Sequence, residues 1–104
     1  MPRFALVWTY EDGTSEQFEL REGNTTVIGR SPTCDIVVAD HTVSRRHAEF
    51  LVRGSSCRLR HLSKTNPTYV NGRIALGDTE LSAGDELWLP VRLVRLVDLD
   101  APTD

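Results

Sequence analysis

Three short polar segments lie where strand-like stretches of the sequence end, and their side chains could hold an anion. The segments are Gly29-Arg30, Ser44-Arg45-Arg46-His47, and Thr65-Asn66 followed by Asn71-Gly72. They contain guanidinium, hydroxyl and amide donors, and a phosphate group on a side chain offers three strong acceptor oxygens. If the strands bring these segments to one end of the fold, the sequence predicts a small phosphate-binding patch.

The polar segments lack the pattern of a catalytic or metal site. Ser44 and His47 could form a nucleophile and a base, but no nucleophile elbow surrounds them and this spacing alone does not define a triad. The side chains that could bind zinc lack the usual ligand spacings; they are Cys34, His41, His47, Cys57 and His61. We therefore expect no catalytic residue, no metal ion and no cofactor.

The length and composition of the chain are typical of one globular domain. With 104 residues, 39% hydrophobic and 26% charged, we expect a single domain over residues 1–99 and a flexible tail over residues 100–104. No apolar run approaches the length of a membrane span, and the first residues lead into a strand pattern rather than a signal peptide. The sequence therefore favours a cytoplasmic location and no membrane partner.

The net charge of −3 argues against a nucleic-acid partner, because duplex-binding domains usually carry a basic surplus. Lys64 is the only lysine, and the other basic residues are arginines. Arginine suits bidentate contact with anions, although codon bias in the genome would give the same composition. Cys34 and Cys57 are expected to be small buried side chains without a disulfide, since the cytoplasm is reducing.

Short stretches with alternating apolar or β-branched side chains predict an all-β fold. The predicted strands are residues 4–10, 17–20, 25–28, 35–38, 47–52, 57–62, 69–70, 73–76, 86–89 and 91–99. Asp12-Gly13 and Asn71-Gly72 are hairpin turn signals. About eleven short strands without a helix predict a two-sheet antiparallel β-sandwich, with the polar segments as loops at one end.

Two details of the strand pattern concern the core. Trp8 and Trp88 both lie in alternating patterns, which predicts that both are buried. In the final strand the apolar positions change face between Leu93 and Leu96, which predicts either a bulge or burial on both faces.

The polar segments, in this order and on this strand pattern, resemble the forkhead-associated (FHA) domain family. The matching stretches are residues 28–30, 43–48, 63–72 and 84–87, within a resemblance that runs from about Val27 to Leu96. The family is a β-sandwich that reads phosphothreonine, and it is one of the phospho-motif readers that use arginine clusters. The resemblance therefore implies a phosphopeptide-binding module.

The resemblance also implies a role for each matching residue. Arg30 would clamp the phosphate, and the Ser44 hydroxyl would donate to a second phosphate oxygen. Arg45 would add its backbone N–H and its charge, and Thr65 would contact the phosphate from the opposite loop. Asn66 would hydrogen-bond the backbone of an extended peptide.

Other matching residues would support the site from behind. The support residues that the resemblance implies are Gly29, which would allow a tight turn, His47, Asn71 and Gly72. Two positions depart from the family pattern. Pro67 follows Asn66 where glycine is common, which predicts a stiffer loop. His61 stands near a position that is often acidic, which predicts altered loop support.

Two functions remain open from the sequence. The first is a non-catalytic module that binds a phosphothreonine protein or peptide in Ser/Thr kinase signalling, either in another protein or in its own parent chain. The second is a phospho-independent interaction or dimerisation β-sandwich that uses a sheet face or an edge strand. The sequence leaves the preferred peptide, the kinase and the oligomeric state undetermined.

Overall fold

The computed structural model describes residues 3–90 and 92–100, and the elements within them are all strands. In chain order the strands are β1 (Phe4–Thr9), β2 (Ser15–Glu19), β3 (Thr25–Gly29), β4 (Ile36–Val37), β5 (Ala48–Arg53), β6 (Ser56–His61), β7 (Tyr69–Val70), β8 (Arg73–Ile74), β9 (Asp78–Leu81), β10 (Glu86–Leu89) and β11 (Arg92–Asp98). Most of them coincide with stretches that the alternation of apolar side chains predicts.

The strands form two sheets that face each other. The six-stranded sheet has the order β2-β1-β11-β10-β7-β8, and the five-stranded sheet has the order β4-β3-β5-β6-β9. Neighbouring strands run antiparallel except β3 and β4, which pair in parallel over two residues. The predicted two-sheet β-sandwich is confirmed. The sequence prediction missed β9, because Asp78–Leu81 ends in its one large apolar side chain and therefore shows no alternation.

The core lies between the two sheets and consists of every second side chain of the central strands. In β1, Leu6 is fully buried, and in β5 Ala48, Phe50 and Val52 point inward. The six-stranded sheet, which contains β1, also supplies Leu87 from β10 and other side chains of similar size, opposite those of β5. Burial of each of the larger side chains contributes roughly 1.5–3 kcal/mol, so this interior stabilises the strands whose ends carry the loops.

The apolar residues of β11 do not require a bulge. β11 pairs with β1 and with β10 in unbroken register. Val94 and Leu96 point into the core, whereas Leu93 on the outer face is 39% exposed. The prediction of either a bulge or burial on both faces is therefore wrong, because the register is unbroken and the apolar side chains on the outer face are partly exposed to solvent.

The two tryptophans have opposite environments. Trp8 is 6% exposed, and its indole Nε1 donates to the Tyr10 hydroxyl at 3.1 Å. Trp88 is 47% exposed, so the prediction that it belongs to the core is wrong. Its neighbours Leu87 and Leu89 point inward, which places Trp88 on the outer face of the six-stranded sheet. Leu87, Trp88 and Leu89 are three consecutive apolar residues, so the sequence alone does not show which of them point inward.

Both cysteines are buried and free, as predicted from the sequence. Burial raises the pKa of the Cys57 thiol to about 12. No helix in the described part of the chain is long and apolar enough to cross a membrane. Asp100, the first residue of the predicted tail, accepts a hydrogen bond from Arg3 Nε at 3.0 Å, and the rest of that tail lies outside the described residues.

Replacing each tryptophan separately tests this assignment. We expect Trp8→Ala to lower the free energy of unfolding by about 3–5 kcal/mol, because it leaves a cavity in the core. Trp88→Ala should cost no more than about 1 kcal/mol, because it removes only packing on an exposed sheet face. Urea denaturation measures both values. Equal losses in the two variants would contradict the assigned faces.

Candidate functional site

Three loops meet at one end of the sandwich, and we call this end the loop pole. They are residues 30–35 after β3, residues 38–47 before β5, and residues 62–68 after β6. The backbone N–H of Arg30 donates to Ser44 O at 2.9 Å, which joins the first two loops. The His47 side chain contacts Pro67 O at 3.3 Å, which joins the second and third loops. The predicted gathering at one end therefore holds for the segments of Arg30, Ser44 and Thr65, and it does not include Asn71-Gly72.

Gly29 permits the closest of these contacts. A Cβ atom at this position would lie 2.2 Å from Arg45 O and 2.9 Å from the carbonyl carbon of the same residue. Gly29 does not have a positive φ, so the reason for glycine here differs from the predicted tight turn. The backbone of Arg45 and Arg46 passes directly over the end of β3, and any side chain on residue 29 would collide with it.

The Arg30 guanidinium is held by a hydrogen bond at Nε, and its terminal nitrogens remain available. Its Nε donates to Val43 O at 3.1 Å, which leaves the two terminal nitrogens and their four N–H donors for other partners. Among the residues that the structure describes, no carboxylate lies within 4.0 Å of this side chain. Arg30 therefore presents an unpaired positive charge at the loop pole.

A local turn holds the loop that anchors Arg30. The Asp40 carboxylate accepts a hydrogen bond from the Thr42 backbone N–H at 2.8 Å and another from the Thr42 hydroxyl. These two bonds, the hydroxyl bond first, lower the pKa of Asp40 below its ordinary value. The backbone N–H of Val43 donates to Asp40 O at 3.0 Å, so the carbonyl that receives the guanidinium has a defined position.

The hydroxyl groups form a small network at the centre of the loop pole. Ser44 Oγ lies 2.5 Å from Ser63 Oγ and 3.5 Å from Thr65 Oγ1. Ser63 Oγ already accepts the backbone N–H groups of Thr65 at 3.3 Å and of Asn66 at 3.0 Å. A hydroxyl has two acceptor lone pairs and one donor, so the Ser63 proton must point to Ser44. The Ser44 proton is consequently free to donate to another group.

Ser63 is the site residue that the sequence analysis did not single out. It is buried and orders both the hydroxyl of Ser44 and the turn that carries Thr65 and Asn66. A serine placed two and three residues before N–H groups that it can bind is a turn-forming signal. Its contact with Ser44, however, joins residues that are 19 positions apart, and that contact follows only from the fold.

His47 is a buried connector between two loops. The backbone N–H of Ser44 donates to His47 Nδ1 at 3.3 Å, so Nδ1 carries no proton and Nε2–H donates to Pro67 O. Burial lowers the pKa of His47 below its ordinary value; the bond to Pro67 opposes this shift, and nearby His61 adds to it. The neutral imidazole is therefore the form that this arrangement needs.

Pro67 and His61, the two residues that depart from the family pattern, both take part in hydrogen bonds that hold the third loop. Pro67 lacks an N–H, but the loop uses its carbonyl oxygen, which accepts from His47. His61 forms a hydrogen bond of 3.0 Å between its Nδ1 and the hydroxyl of the fully buried Thr68. The rings of His47 and His61 meet edge to face with centroids 5.6 Å apart. The third loop is thus braced by two histidines.

The basic side chains of the loop pole differ in whether a carboxylate lies close to them. Arg46 lies 3.9 Å from the Glu49 carboxylate. Arg45 and Lys64, each next to a hydroxyl residue of the network, are exposed, and within residues 3–90 and 92–100 no acidic group lies in ion-pair range of them. Arg30, Arg45 and Lys64 therefore give this end of an acidic chain a local positive charge.

Asn71 and Gly72 lie outside this cluster. Asn71 has a φ of 50° and Gly72 a φ of 84°, as the hairpin turn between β7 and β8 requires. The Asn71 amide donates to Asp85 Oδ1 at 2.9 Å, and its oxygen accepts the backbone N–H of Glu86 at 2.9 Å. Asn71 therefore ties the hairpin to the turn before β10, and within the described part of the chain it forms no hydrogen bond with the three loops.

The arrangement is suited to binding an anion and poorly suited to acid–base catalysis. The Ser44 hydroxyl does not bond to His47, whose Nδ1 is occupied by the Ser44 backbone N–H. In the described residues no group of three or more His, Cys, Asp or Glu side chains could hold a metal ion. What the loop pole offers is the guanidinium of Arg30, anchored at Nε, and a hydrogen-bonded hydroxyl network on the adjoining loops.

Comparison with known proteins identifies the family. The family model for the FHA domain matches residues 26–90, and the chain belongs to this family. FHA domains are recognition modules that read phosphorylated motifs. Family and fold agree with the resemblance found in the sequence.

Individual relatives give the same result. The chain is 42% identical over 78 residues to the glycogen accumulation regulator GarA of Mycolicibacterium smegmatis, a match that covers 75% of this chain and 48% of that protein. It thus spans about half the length of the curated relatives that it matches. The FHA domain of the CT664 protein from Chlamydia trachomatis is 32% identical with a TM-score of 0.87, covering 92% of this chain and 97% of the other.

A further solved structure is described as a structural and functional analysis of phosphothreonine-dependent FHA domain interactions. It is 29% identical to this chain with a TM-score of 0.77, and the match covers 95% of this chain and 99% of that one. The loop pole therefore lies on a scaffold that related domains use for recognition.

Replacement of Gly29 tests the backbone contact. We expect Gly29→Ala to lower the free energy of unfolding by about 2–3 kcal/mol, because the new methyl group would displace backbone atoms of Arg45. Gly13→Ala is a suitable control, because Gly13 has a positive φ of 88° but open space around it, and it should cost about 1 kcal/mol. Chemical denaturation measures both. A loss at Gly29 no larger than the loss at Gly13 would contradict the contact.

The burial of His47 predicts a pH dependence of stability. Its pKa is lower in the folded chain than in the unfolded chain, so the unfolded state binds more protons as the pH falls below about 6.5. Stability should therefore decrease on acidification, by at most about 1.4 kcal/mol per pH unit for this one group. Urea denaturation between about pH 7.5 and pH 5.5, above the range where carboxylates titrate, measures the slope.

Two variants isolate the contribution of His47. His47→Gln should remove part of the slope, whereas the exposed His41→Gln should retain it. If the His47→Gln variant and the wild type lose stability equally between these pH values, the buried imidazole is not the cause.

Proposed function

We propose that the loop pole binds the phosphate group of a phosphothreonine peptide and that the chain acts as a non-catalytic recognition module. The observation that carries this proposal is the position of Arg30. Its guanidinium is anchored to Val43 O and has no carboxylate partner among the described residues. The residue that follows Val43 is Ser44, which carries the free hydroxyl proton. Phosphate oxygens are the acceptors that this pair of donors lacks.

We assign each residue of the proposed site a role that its surroundings support. Arg30 supplies the main counter-charge, and Ser44 donates its free hydroxyl proton to a phosphate oxygen. Thr65 contacts the phosphate from the third loop, and exposed Arg45 adds charge from the second loop. Asn66, whose backbone is held by Ser63, binds the main chain of an extended peptide with its side-chain amide.

The site is ordered before the ligand arrives, and this favours binding. The guanidinium, the hydroxyl network and the Asn66 turn are already held by hydrogen bonds within the chain. The binding reaction therefore spends little free energy on ordering these groups. Preference for phosphothreonine over phosphoserine would come from burial of the extra methyl group, which contributes roughly 1 kcal/mol.

The proposed partner is a protein phosphorylated by a Ser/Thr kinase, or a phosphorylated segment of the parent chain. Support comes from the FHA family membership and from the related structure described as phosphothreonine-dependent. We place this function in the cytoplasm, where kinases act and where the two free thiols of the chain remain reduced. The membership of the chain in a family of recognition modules supports the absence of catalysis.

Removal of the Arg30 side chain tests the proposed function. A pool of phosphothreonine peptides should bind Arg30→Ala more weakly by about 2–5 kcal/mol, because the phosphate loses its main counter-charge. This corresponds to a dissociation constant that is about 30-fold to several thousand-fold higher. Fluorescence anisotropy or calorimetry provides the measurement, with the unphosphorylated pool as reference.

Arg53→Ala is the matched control for this experiment. Arg53 is also exposed, but it ends β5 at the opposite end of the strand from the loop pole. Its replacement should leave the affinity unchanged. Equal affinity of Arg30→Ala and wild type, or equal binding of phosphorylated and unphosphorylated peptides, would refute the proposed function.

A further inference from the structure

Four apolar side chains form a continuous row on the outer face of the six-stranded sheet, and we call this row the apolar band. The strand register pairs Leu93 with Trp88, Trp88 with Tyr69, and Tyr69 with Ile74. Directly paired residues point to the same face of a sheet, so the row crosses β11, β10, β7 and β8. Leu93 is 39%, Trp88 47% and Ile74 55% exposed.

Both outer faces carry ion pairs. On the five-stranded sheet Arg60 contacts both Glu49 and Asp78, and Arg58 contacts Glu80. On the six-stranded sheet Arg95 contacts Glu86 at 3.1 Å, next to the apolar band. Single exposed apolar residues are common on protein surfaces, but contiguous ones mark interaction sites. Four directly paired apolar side chains in one row therefore indicate that the apolar band is a contact surface.

The apolar band is continuous with the loop pole. Tyr69 begins β7 directly after the loop of Thr65 and Asn66. At the other end of the band, Ile74 and the 82% exposed Leu76 line the same shallow groove as Thr65 and Asn66. An extended segment that crosses Asn66 can therefore reach the band without leaving the protein surface.

We propose that the apolar band holds apolar side chains of the same partner segment that presents phosphothreonine to the loop pole. The proposal rests on the proposed function and adds a second point of recognition. The band crosses three inter-strand spacings, a distance of about 14 Å, which an extended chain of about five residues spans. Alternate residues of an extended chain face the same way, so the partner segment carries two or three apolar side chains at every second position.

A selection experiment tests the apolar band. The probe is a pool of long synthetic peptides with a central phosphothreonine and randomised flanks, captured on the immobilised chain. Wild type should enrich apolar residues at alternate positions in one flank. Trp88→Ser should lose this enrichment and still require the phosphate. Val37→Ser removes an apolar side chain that is 46% exposed on β4 of the other sheet, and it should select the same flanks as wild type.

Individual peptides then give the size of the effect. A selected long peptide should bind wild type about tenfold more tightly than the same peptide trimmed to the neighbours of the phosphothreonine. In Trp88→Ser the two peptides should bind equally. Flanks without apolar preference, or a preference that persists in Trp88→Ser, would overturn the proposal.

Two further outcomes reveal a different occupant of the band or a failure of the loop pole to read phosphate. If sedimentation shows that wild type dimerises and Trp88→Ser does not, a second copy of the chain occupies the band and the proposal is refuted. If phosphorylated and unphosphorylated peptides bind wild type equally, the proposed function itself fails. Phosphate-dependent binding without selection of flanks refutes only the apolar band.

Discussion

The close approach of two backbone segments at Gly29 is the constraint on which the loop pole depends. Arg45 O lies where a side chain at position 29 would be. The same carbonyl accepts the backbone N–H of Ser31 at 3.1 Å and the Cys34 thiol at 3.1 Å. This contact keeps Ser44 and Arg45 next to the end of β3, where the Arg30 backbone N–H donates to Ser44 O and its guanidinium to Val43 O.

The rest of the loop pole is connected to this contact by buried polar groups. His47 joins the second loop to the third through its two ring nitrogens, and Ser63 joins the same two loops through one hydroxyl. Both side chains are buried, and buried polar groups whose bonds are satisfied fix a single local structure. The donors at the surface are therefore held by bonds below it. An anion that binds them meets an arrangement that already exists.

Much of the fold could be predicted from the sequence, because alternation and turn residues act locally. The hairpin at Asn71-Gly72 and the strand around Phe50 follow from such local patterns. The environment of Trp88 could not be predicted, because neighbouring apolar residues leave open which of them point inward. The role of Ser63 depends on a contact with a distant loop, and the reason for Gly29 is the path of another segment. These features are set by the packing of strands that are remote in sequence.

The unlike surroundings of the two indole rings have a practical consequence. Trp8 lies in an apolar interior, where the Arg92 guanidinium stacks on its ring at 5.0 Å, whereas Trp88 is half open to water. Their fluorescence should differ in emission wavelength and in access to soluble quenchers. The chain therefore carries two intrinsic optical reporters, one for the integrity of the sandwich interior and one for events on a single outer surface.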